Sequence, residues 1–195
     1  MPRIVEAKCR TCAMPWSGDL QGDRCLSCQK RPTRLDWADS WGHYRGSLER
    51  VLHAYKFERH DFLNDDLAEL LCELVYRHDE SFDAVVAVPM HVSKLRRRGY
   101  NQSELLARSL SRRIDVPFRG DLLTRIVDRE PQSTLPRSAR AGNVRGAFVA
   151  SRAVAGLSLL LIDDIATTGE TLRACARALR RQRASGICAL TIARA

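Results

Sequence analysis

No apolar run in the sequence approaches the roughly 20 residues that a membrane-spanning helix needs, and the N-terminus has no hydrophobic segment of the signal-peptide kind. Membrane insertion and secretion are therefore not expected, and the sequence reads as a soluble, cytoplasmic protein. It has no internal repeat, which argues against a solenoid or propeller, and no low-complexity tract, which argues against long disordered linkers. Acidic residues are the minority charge: 23 Asp and Glu stand against 32 Lys and Arg, a net charge of +9. Hydrophobic residues are present in ordinary amount, 45% of 195 residues, enough to bury a core in one domain with a small appendage.

The positive surplus is local. Residues 1–93 carry 12 basic and 15 acidic residues, residues 94–145 carry 13 and 5, and residues 146–195 carry 7 and 3. A basic middle segment points to a phosphorylated small molecule, to a nucleic acid, or to a basic face turned to solvent; charge alone does not choose among them.

Four of the seven cysteines form two pairs, Cys9-x2-Cys12 and Cys25-x2-Cys28, twelve residues apart. In a cytoplasmic chain this spacing fits a tetrahedral Zn²⁺ site with one knuckle from each pair. Gly18, Asp19, Gly22 and Asp23 between the pairs suit the turn of a ribbon. A redox pair fits less well, because a thioredoxin-type site uses one Cys-x-x-Cys beside a strand–helix unit. Four thiolates leave no open coordination position, so the expected role of the metal is structural. Cys72, Cys175 and Cys188 lie among Leu, Ala and Ile and read as small buried apolar residues.

Residues 1–33 form a zinc-ribbon-like module too short for a core of its own. Residues 34–80 read as a helical and aromatic lead-in, with Trp37, Trp41, Tyr44, Tyr55 and Phe57. Leu48, Val51, Leu52 and Tyr55 recur at helical spacing, and a second helix follows with Phe62, Leu63, Leu67, Leu70, Leu71, Leu74 and Val75 inward. An α/β core is expected over 81–195. Asp83–Met90 reads as the first strand of a parallel sheet, 91–100 as a basic loop, and Gln102–Arg113 as a helix with Leu105, Leu106, Ser109 and Leu110 inward. Gly99 suits a positive φ and Asn101 an N-cap. A strand follows near Val116–Leu123, then a long loop over 124–143, strands near Gly146–Ala150 and Ile187–Ile192, and a helix over Thr171–Arg183. Strands alternating with helices imply crossovers that cover both sheet faces.

The most informative stretch is Leu159-Leu160-Leu161-Ile162-Asp163-Asp164-Ile165-Ala166-Thr167-Thr168-Gly169-Glu170-Thr171-Leu172. A short aliphatic run, read as a strand buried on both faces, delivers two carboxylates to the sheet's carboxyl edge. Thr167, Thr168 and Gly169 then lead into a helix whose first amides can converge on an anion. A carboxylate pair for hydroxyls or a metal, beside an amide cradle for phosphate, describes a site for a phosphorylated sugar.

This stretch resembles the 5-phosphoribosyl pyrophosphate (PRPP) motif of type I phosphoribosyltransferases. Three further segments narrow the resemblance: Val88–Gln102, the run Arg129-x-Pro131-Gln132-Ser133 through Arg140, Asn143-Val144-Arg145-Gly146 and Phe148, and Tyr55-Lys56-Phe57. With the four-cysteine arm they resemble the ComF/GntX family, phosphoribosyltransferase-like proteins linked to competence for DNA uptake. The resemblance implies an α/β parallel-sheet type I fold that binds PRPP with Mg²⁺ and transfers the phosphoribosyl group to a nitrogen acceptor. It implies that Asp163 and Asp164 hold the ribose hydroxyls and that Thr167, Thr168, Gly169, Glu170 and Thr171 hold the 5′-phosphate. Met90, His91, Lys94 and Arg98 are expected at the pyrophosphate, with Arg129 and Arg140 arriving from a loop that closes over the site. Arg96-Arg97 read equally as a solvent-facing pair, and His91 as a loop residue without a chemical role. No segment carries a base-specific pattern; the aromatics over 37–57 offer either a stacking surface or core packing. The second functional reading is a non-catalytic adaptor that binds single-stranded DNA or the uptake machinery through charge and stacking.

Overall fold

The computed structural model describes residues 1–16, 22–57, 61–127 and 146–195. Its elements are α1 (Leu26–Lys30), β1 (Trp37–His43), α2 (Gly46–Phe57), α3 (Asn64–Val75), β2 (Ala84–Ala87), α4 (Val92–Arg98), α5 (Gln102–Ile114), β3 (Leu123–Arg125), β4 (Phe148–Ala150), β5 (Ser158–Ala166), α6 (Glu170–Arg181) and β6 (Gly186–Arg194). Four strands form a parallel sheet in the order β1-β6-β5-β2, and β3 and β4 form a separate antiparallel pair.

Strand alternation sorts the apolar side chains onto two faces. Leu159 and Leu161 of β5 join Ile187 and Ala189 of β6 and Ala84 and Val86 of β2 in one core, which α6 and the β3–β4 pair cover. Leu160, Ile162, Cys188, Leu190, Val85 and Ala87 face the other way, against α2, α3 and α5. Leu159 through Ile162 have no exposed surface; burial stabilises by roughly 1.5–3 kcal/mol for each such side chain. The expected buried strand and the helices on both faces are thus present, and Cys72, Cys175 and Cys188 are buried free thiols. Among the described residues no helix is long and apolar enough to cross a membrane.

Several local expectations are corrected. Asp83–Met90 is not the first strand, because β1 precedes it and pairs with β6 from Trp37↔Cys188 to His43↔Arg194. Polar residues hide β1 in the sequence, and each finds a partner. Asp39 takes Lys8, His78 and the Ser40 amide, and Ser40 Oγ lies 2.7 Å from Thr191 Oγ1. Trp37, Trp41 and Tyr55 are buried in the core, so these aromatics are not a stacking surface. Phe62, expected inward, lies before α3 begins and is 71% exposed. Leu105 is only half-buried.

The basic loop at 91–100 is largely a helix. His91 caps α4 by accepting the Ser93 amide at 3.2 Å, and Gly99 ends it at φ 88° with its amide on the Leu95 carbonyl. None of its side chains is fully buried, so no apolar stripe announces it in the sequence. Asn101 occupies the N-cap of α5 without a side-chain cap bond; its amide group instead donates to the Val88 carbonyl at 3.0 Å. The strand expected at Val116–Leu123 is reduced to a parallel bridge between Phe118 and Val85, and pairing resumes only at β3. That strand includes Thr124 and Arg125, which were expected in the long loop. The remainder of that loop, and the ribbon turn at Gly18 and Asp19, fall largely outside the described residues.

Candidate functional site

β2 and β5 are neighbours, yet their following helices lie on opposite faces of the sheet: α5 in one core, α6 in the other. A parallel sheet opens a crevice at the carboxyl ends of such a strand pair. There a cleft of about 210 Å³ is lined by Lys56, Val88, Pro89, Met90, Lys94, Arg98, Asn101, Gln102, Ser103, Arg125, Asp163, Asp164 and Thr171. Four cations and two carboxylates thus face one space, a balance suited to a polyanion that also carries hydroxyls.

The acidic side is built by β5 itself. Asp163 Oδ1 accepts from Ser103 Oγ at 2.7 Å and from the Asp164 amide at 3.0 Å. Asp164 Oδ1 accepts the Ile165 amide at 2.7 Å, and its Oδ2 meets Lys56 Nζ at 3.0 Å. Burial, then the neighbouring Asp164 charge, push the Asp163 carboxyl up to about 7, against the opposing pull of Ser103 and Lys56.

The loop between β5 and α6 turns at Gly169, whose φ of 75° and ψ of 4° place it in the left-handed region. A Cβ there would meet nothing within 4 Å, so the requirement is backbone conformation rather than space. Thr168 Oγ1 accepts the Glu170 amide at 3.4 Å, and Thr171 on the first turn of α6 lines the cleft. Thr167, Thr168, Gly169 and Glu170 flank Thr171 without being among the lining residues. The Glu170 carboxylate turns to Arg173 at 3.1 Å, so it need not point at an anion held by the loop.

On the basic side, the four-residue spacing of Lys94 and Arg98 sets both on one face of α4, toward the cleft. Arg98 Nη1 donates to Gln102 Oε1 at 2.8 Å. Met90 lines the cleft beside Pro89, whereas His91 serves as the α4 cap. Arg96 and Arg97 are exposed. Arg129 and Arg140 lie outside the described residues. Three contributors escaped sequence reasoning: Lys56, quoted only as part of Tyr55-Lys56-Phe57, Ser103 and Arg125. The structure places Lys56 by its neighbours, since Gln102 Nε2 donates to the Lys56 carbonyl at 3.3 Å and Tyr100 Oη to the Tyr55 carbonyl at 2.8 Å. The Tyr100-Asn101-Gln102 run could have signalled this only through its contacts with 55–56.

The Sγ atoms of Cys9, Cys12, Cys25 and Cys28 lie within 4.8 Å of one another. The Cys12–Cys25 pair is 3.7 Å apart, close to the ~3.8 Å edge of a tetrahedron with Zn–S bonds of about 2.3 Å. The Cys25 amide lies 3.3 Å from Cys9 Sγ and the Thr11 hydroxyl 3.5 Å from it, the kind of outer support that metal thiolates take. Three of the four thiols are buried. The donor set fits Zn²⁺.

A phosphoribosyl transferase domain matches residues 95–195, just over half of the chain. Competence protein F of Haemophilus influenzae is 30% identical over 165 residues, covering 80% of this chain and 72% of its own. The DNA utilization protein YhgH of Salmonella typhi is 30% identical over 168 residues, covering 84% and 74%. Among solved structures, the purine phosphoribosyltransferase from Pyrococcus horikoshii aligns at 13% identity over 69% of this chain and 83% of its own, with a TM-score of 0.43. With a parallel α/β sheet, an acidic pair at the end of β5 and a four-cysteine arm, the chain belongs to the phosphoribosyltransferase family of type I fold, in the ComF/GntX branch that holds competence protein F and YhgH.

Proposed function

We propose that the chain binds PRPP with Mg²⁺ and transfers its 5-phosphoribosyl group to a nitrogen acceptor, releasing pyrophosphate. The observation that carries this reading is the cleft, in which Asp163 and Asp164 face Lys94, Arg98 and Arg125 beside the first turn of α6. The acidic pair would accept hydrogen bonds from the ribose 2′- and 3′-hydroxyls. The Thr167–Thr171 amides and hydroxyls, at the positive end of the α6 dipole, would hold the 5′-phosphate. Met90 and His91 backbone groups with Lys94 and Arg98 would take the pyrophosphate, Arg98 as a planar fork and Lys94 as a mobile charge; Arg129 and Arg140 complete the proposed anion-binding set.

In the transfer step the C1′–oxygen bond to pyrophosphate breaks and a C1′–nitrogen bond forms, while the acceptor gives up a proton. Positive charge develops on the ribose and negative charge on the leaving group. The basic side of the cleft faces the carboxylates before either charge appears, the arrangement that electrostatic stabilisation calls for. Mg²⁺, held with PRPP near Asp163 and Asp164, would neutralise phosphate oxygens. Lys56 keeps Asp164 paired and oriented. The division supporting this activity is a Zn²⁺ module over 1–33 and a phosphoribosyltransferase-like domain over 34–195, in the cytoplasm.

The names of the relatives, competence protein F and DNA utilization protein YhgH, support a role in handling taken-up DNA. The exposed pair Arg96-Arg97 on α4 favours a second reading, an adaptor that contacts single-stranded DNA or the uptake machinery. Calorimetric titration with PRPP and Mg²⁺ separates the two, since an adaptor free of PRPP gives no heat. A screen of nucleobases and other amines for PRPP-dependent pyrophosphate release then tests turnover.

A further inference from the structure

Four thiolates around one Zn²⁺ carry a net charge of −2, and a charge of that size buried in protein needs cations close by. Two arginines supply them. Arg173, 5% exposed on α6, places Nη2 3.3 Å from Cys28 Sγ. Arg194, 3% exposed at the end of β6, donates from Nε to the Cys12 carbonyl at 3.1 Å. Each knuckle of the cluster therefore has its own guanidinium.

The far sides of the same guanidinia hold the ends of the Thr167–Gly169 loop. Arg173 Nη1 lies 3.1 Å from Glu170 Oε1, the residue just after Gly169, and Arg194 Nη1 donates to the carbonyl of Ala166, the residue just before Thr167, at 2.8 Å. The Arg173 amide also bonds the Gly169 carbonyl at 3.0 Å. A planar guanidinium cannot serve a thiolate and a carboxylate at once without fixing their relative position. The pairing also accounts for Glu170. An unpaired carboxylate next to a phosphate loop would repel the ligand, and the pairing with Arg173 holds the Glu170 carboxylate at the guanidinium.

We propose that the cysteine cluster is a positioning element of the phosphate loop, with Arg173 and Arg194 transmitting the geometry of the metal-loaded knuckles to both ends of Thr167–Gly169. This rests on the reading of that loop as the seat of the PRPP 5′-phosphate. Arg173 touches no substrate atom in this scheme; it acts through Glu170 and the loop.

The test uses the full-length zinc-loaded protein and compares wild type, Arg173→Met, Arg173→Lys and the double variant Arg173→Met/Glu170→Gln. Three quantities are read: zinc per chain under competition with a chelator, amide hydrogen exchange over 166–172, and affinity for PRPP with Mg²⁺. Arg173→Met is expected to weaken zinc retention by about tenfold or more, the usual effect of removing an outer partner of a metal ligand. It should also speed exchange over 166–172 and weaken PRPP binding by at least tenfold, with a smaller defect in Arg173→Lys. The double variant should recover part of the PRPP affinity, because the stranded Glu170 charge is gone; a merely structural arginine would show no such recovery. Exchange and PRPP affinity within twofold of wild type in Arg173→Met overturn the proposal. If Arg173→Met does not fold, the same comparison in Arg173→Lys decides. If wild type itself binds no PRPP, the PRPP reading fails, and the exchange and zinc measurements still decide whether cluster and loop are coupled.

Discussion

The acidic side of the cleft comes from one continuous run, Leu159–Leu172, whereas its basic side is gathered from Lys56 on α2, Lys94 and Arg98 on α4 and Arg125 on β3. The run shapes itself locally: β5 ends in the carboxylates, Gly169 makes the turn, and α6 begins at once. The cations come from three separate elements. Lys94 and Arg98 share a face of α4 through their spacing, but Lys56 is brought to them by contacts distant in sequence, as when Gln102 Nε2 donates to the Lys56 carbonyl. A contiguous half-site can be read from its residues; a gathered one depends on the fold being right first.

The largest effect should come from the contiguous half. Replacing both carboxylates, Asp163→Asn with Asp164→Asn, removes the two charged acceptors. At about 1.5–3 kcal/mol for each charge-assisted bond, the PRPP affinity measured by calorimetry should fall about 100-fold or more. Affinity within tenfold of wild type would mean that the acidic run is not where the sugar binds.

A gathered residue should fail in two ways at once. Lys56→Met leaves Asp164 without its cation, so both ligand affinity and stability should drop, by about tenfold and about 1–2 kcal/mol in denaturant unfolding. Solvent reaching the Lys56 side chain, 22% exposed, limits the stability loss. Lys94→Met, on α4 where no side chain is fully buried, should lose affinity by a similar factor while its unfolding midpoint moves less than that of Lys56→Met. Equal stability losses in the two variants would erase the distinction.

The next effect is on pH. The Asp163 carboxyl rises from an ordinary 3.8 to about 7, so the folded protein binds this proton more tightly than the unfolded chain. Its contribution to stability is therefore present below about pH 4 and is lost as pH climbs through 7. Asp163→Asn should flatten that part of the unfolding profile between pH 4.5 and 8. PRPP–Mg²⁺ affinity should run the other way, rising a few-fold from pH 6 to 8 as the carboxylate ionises. An unfolding profile parallel to that of Asp163→Asn would remove Asp163 as the source. The smallest effect belongs to Arg96→Gln with Arg97→Gln: these exposed residues should leave PRPP affinity within about twofold. If the adaptor reading has substance, the same pair lowers oligonucleotide affinity and flattens its salt dependence.

The same contrast explains how much could be read in advance. β5, the loop turn, α6 and the four-cysteine cluster carry their signals within a few residues, as aliphatic runs, a Thr-Thr-Gly turn or fixed spacings. β1 stayed hidden because Asp39, Ser40 and Gly42 interrupt its apolar alternation, and only tertiary partners such as Thr191 satisfy them. α4 read as a loop because no side chain in it is fully buried; its caps, His91 and Gly99, define it instead. Ser103 and Arg125 are ordinary residues on a helix and a strand until β5 and α4 are brought beside them.

The position of β6 has a consequence for how the protein is made. β6 is the last strand in the sequence, yet it lies between β1 and β5 and pairs with both along its length. On the ribosome, β1 therefore waits without its sheet partner β6 through the synthesis of more than a hundred residues, and the sheet cannot zip from one end to the other as it emerges. Closure must follow translation of β6, through contacts between chain segments far apart, which slows folding and prolongs exposure of strand edges. The N-terminal arm offsets part of that exposure: Arg3 bridges Gly42, and the Ile4 amide bonds the Trp41 carbonyl at 3.0 Å, capping the outer edge of β1 against a stray strand from another chain.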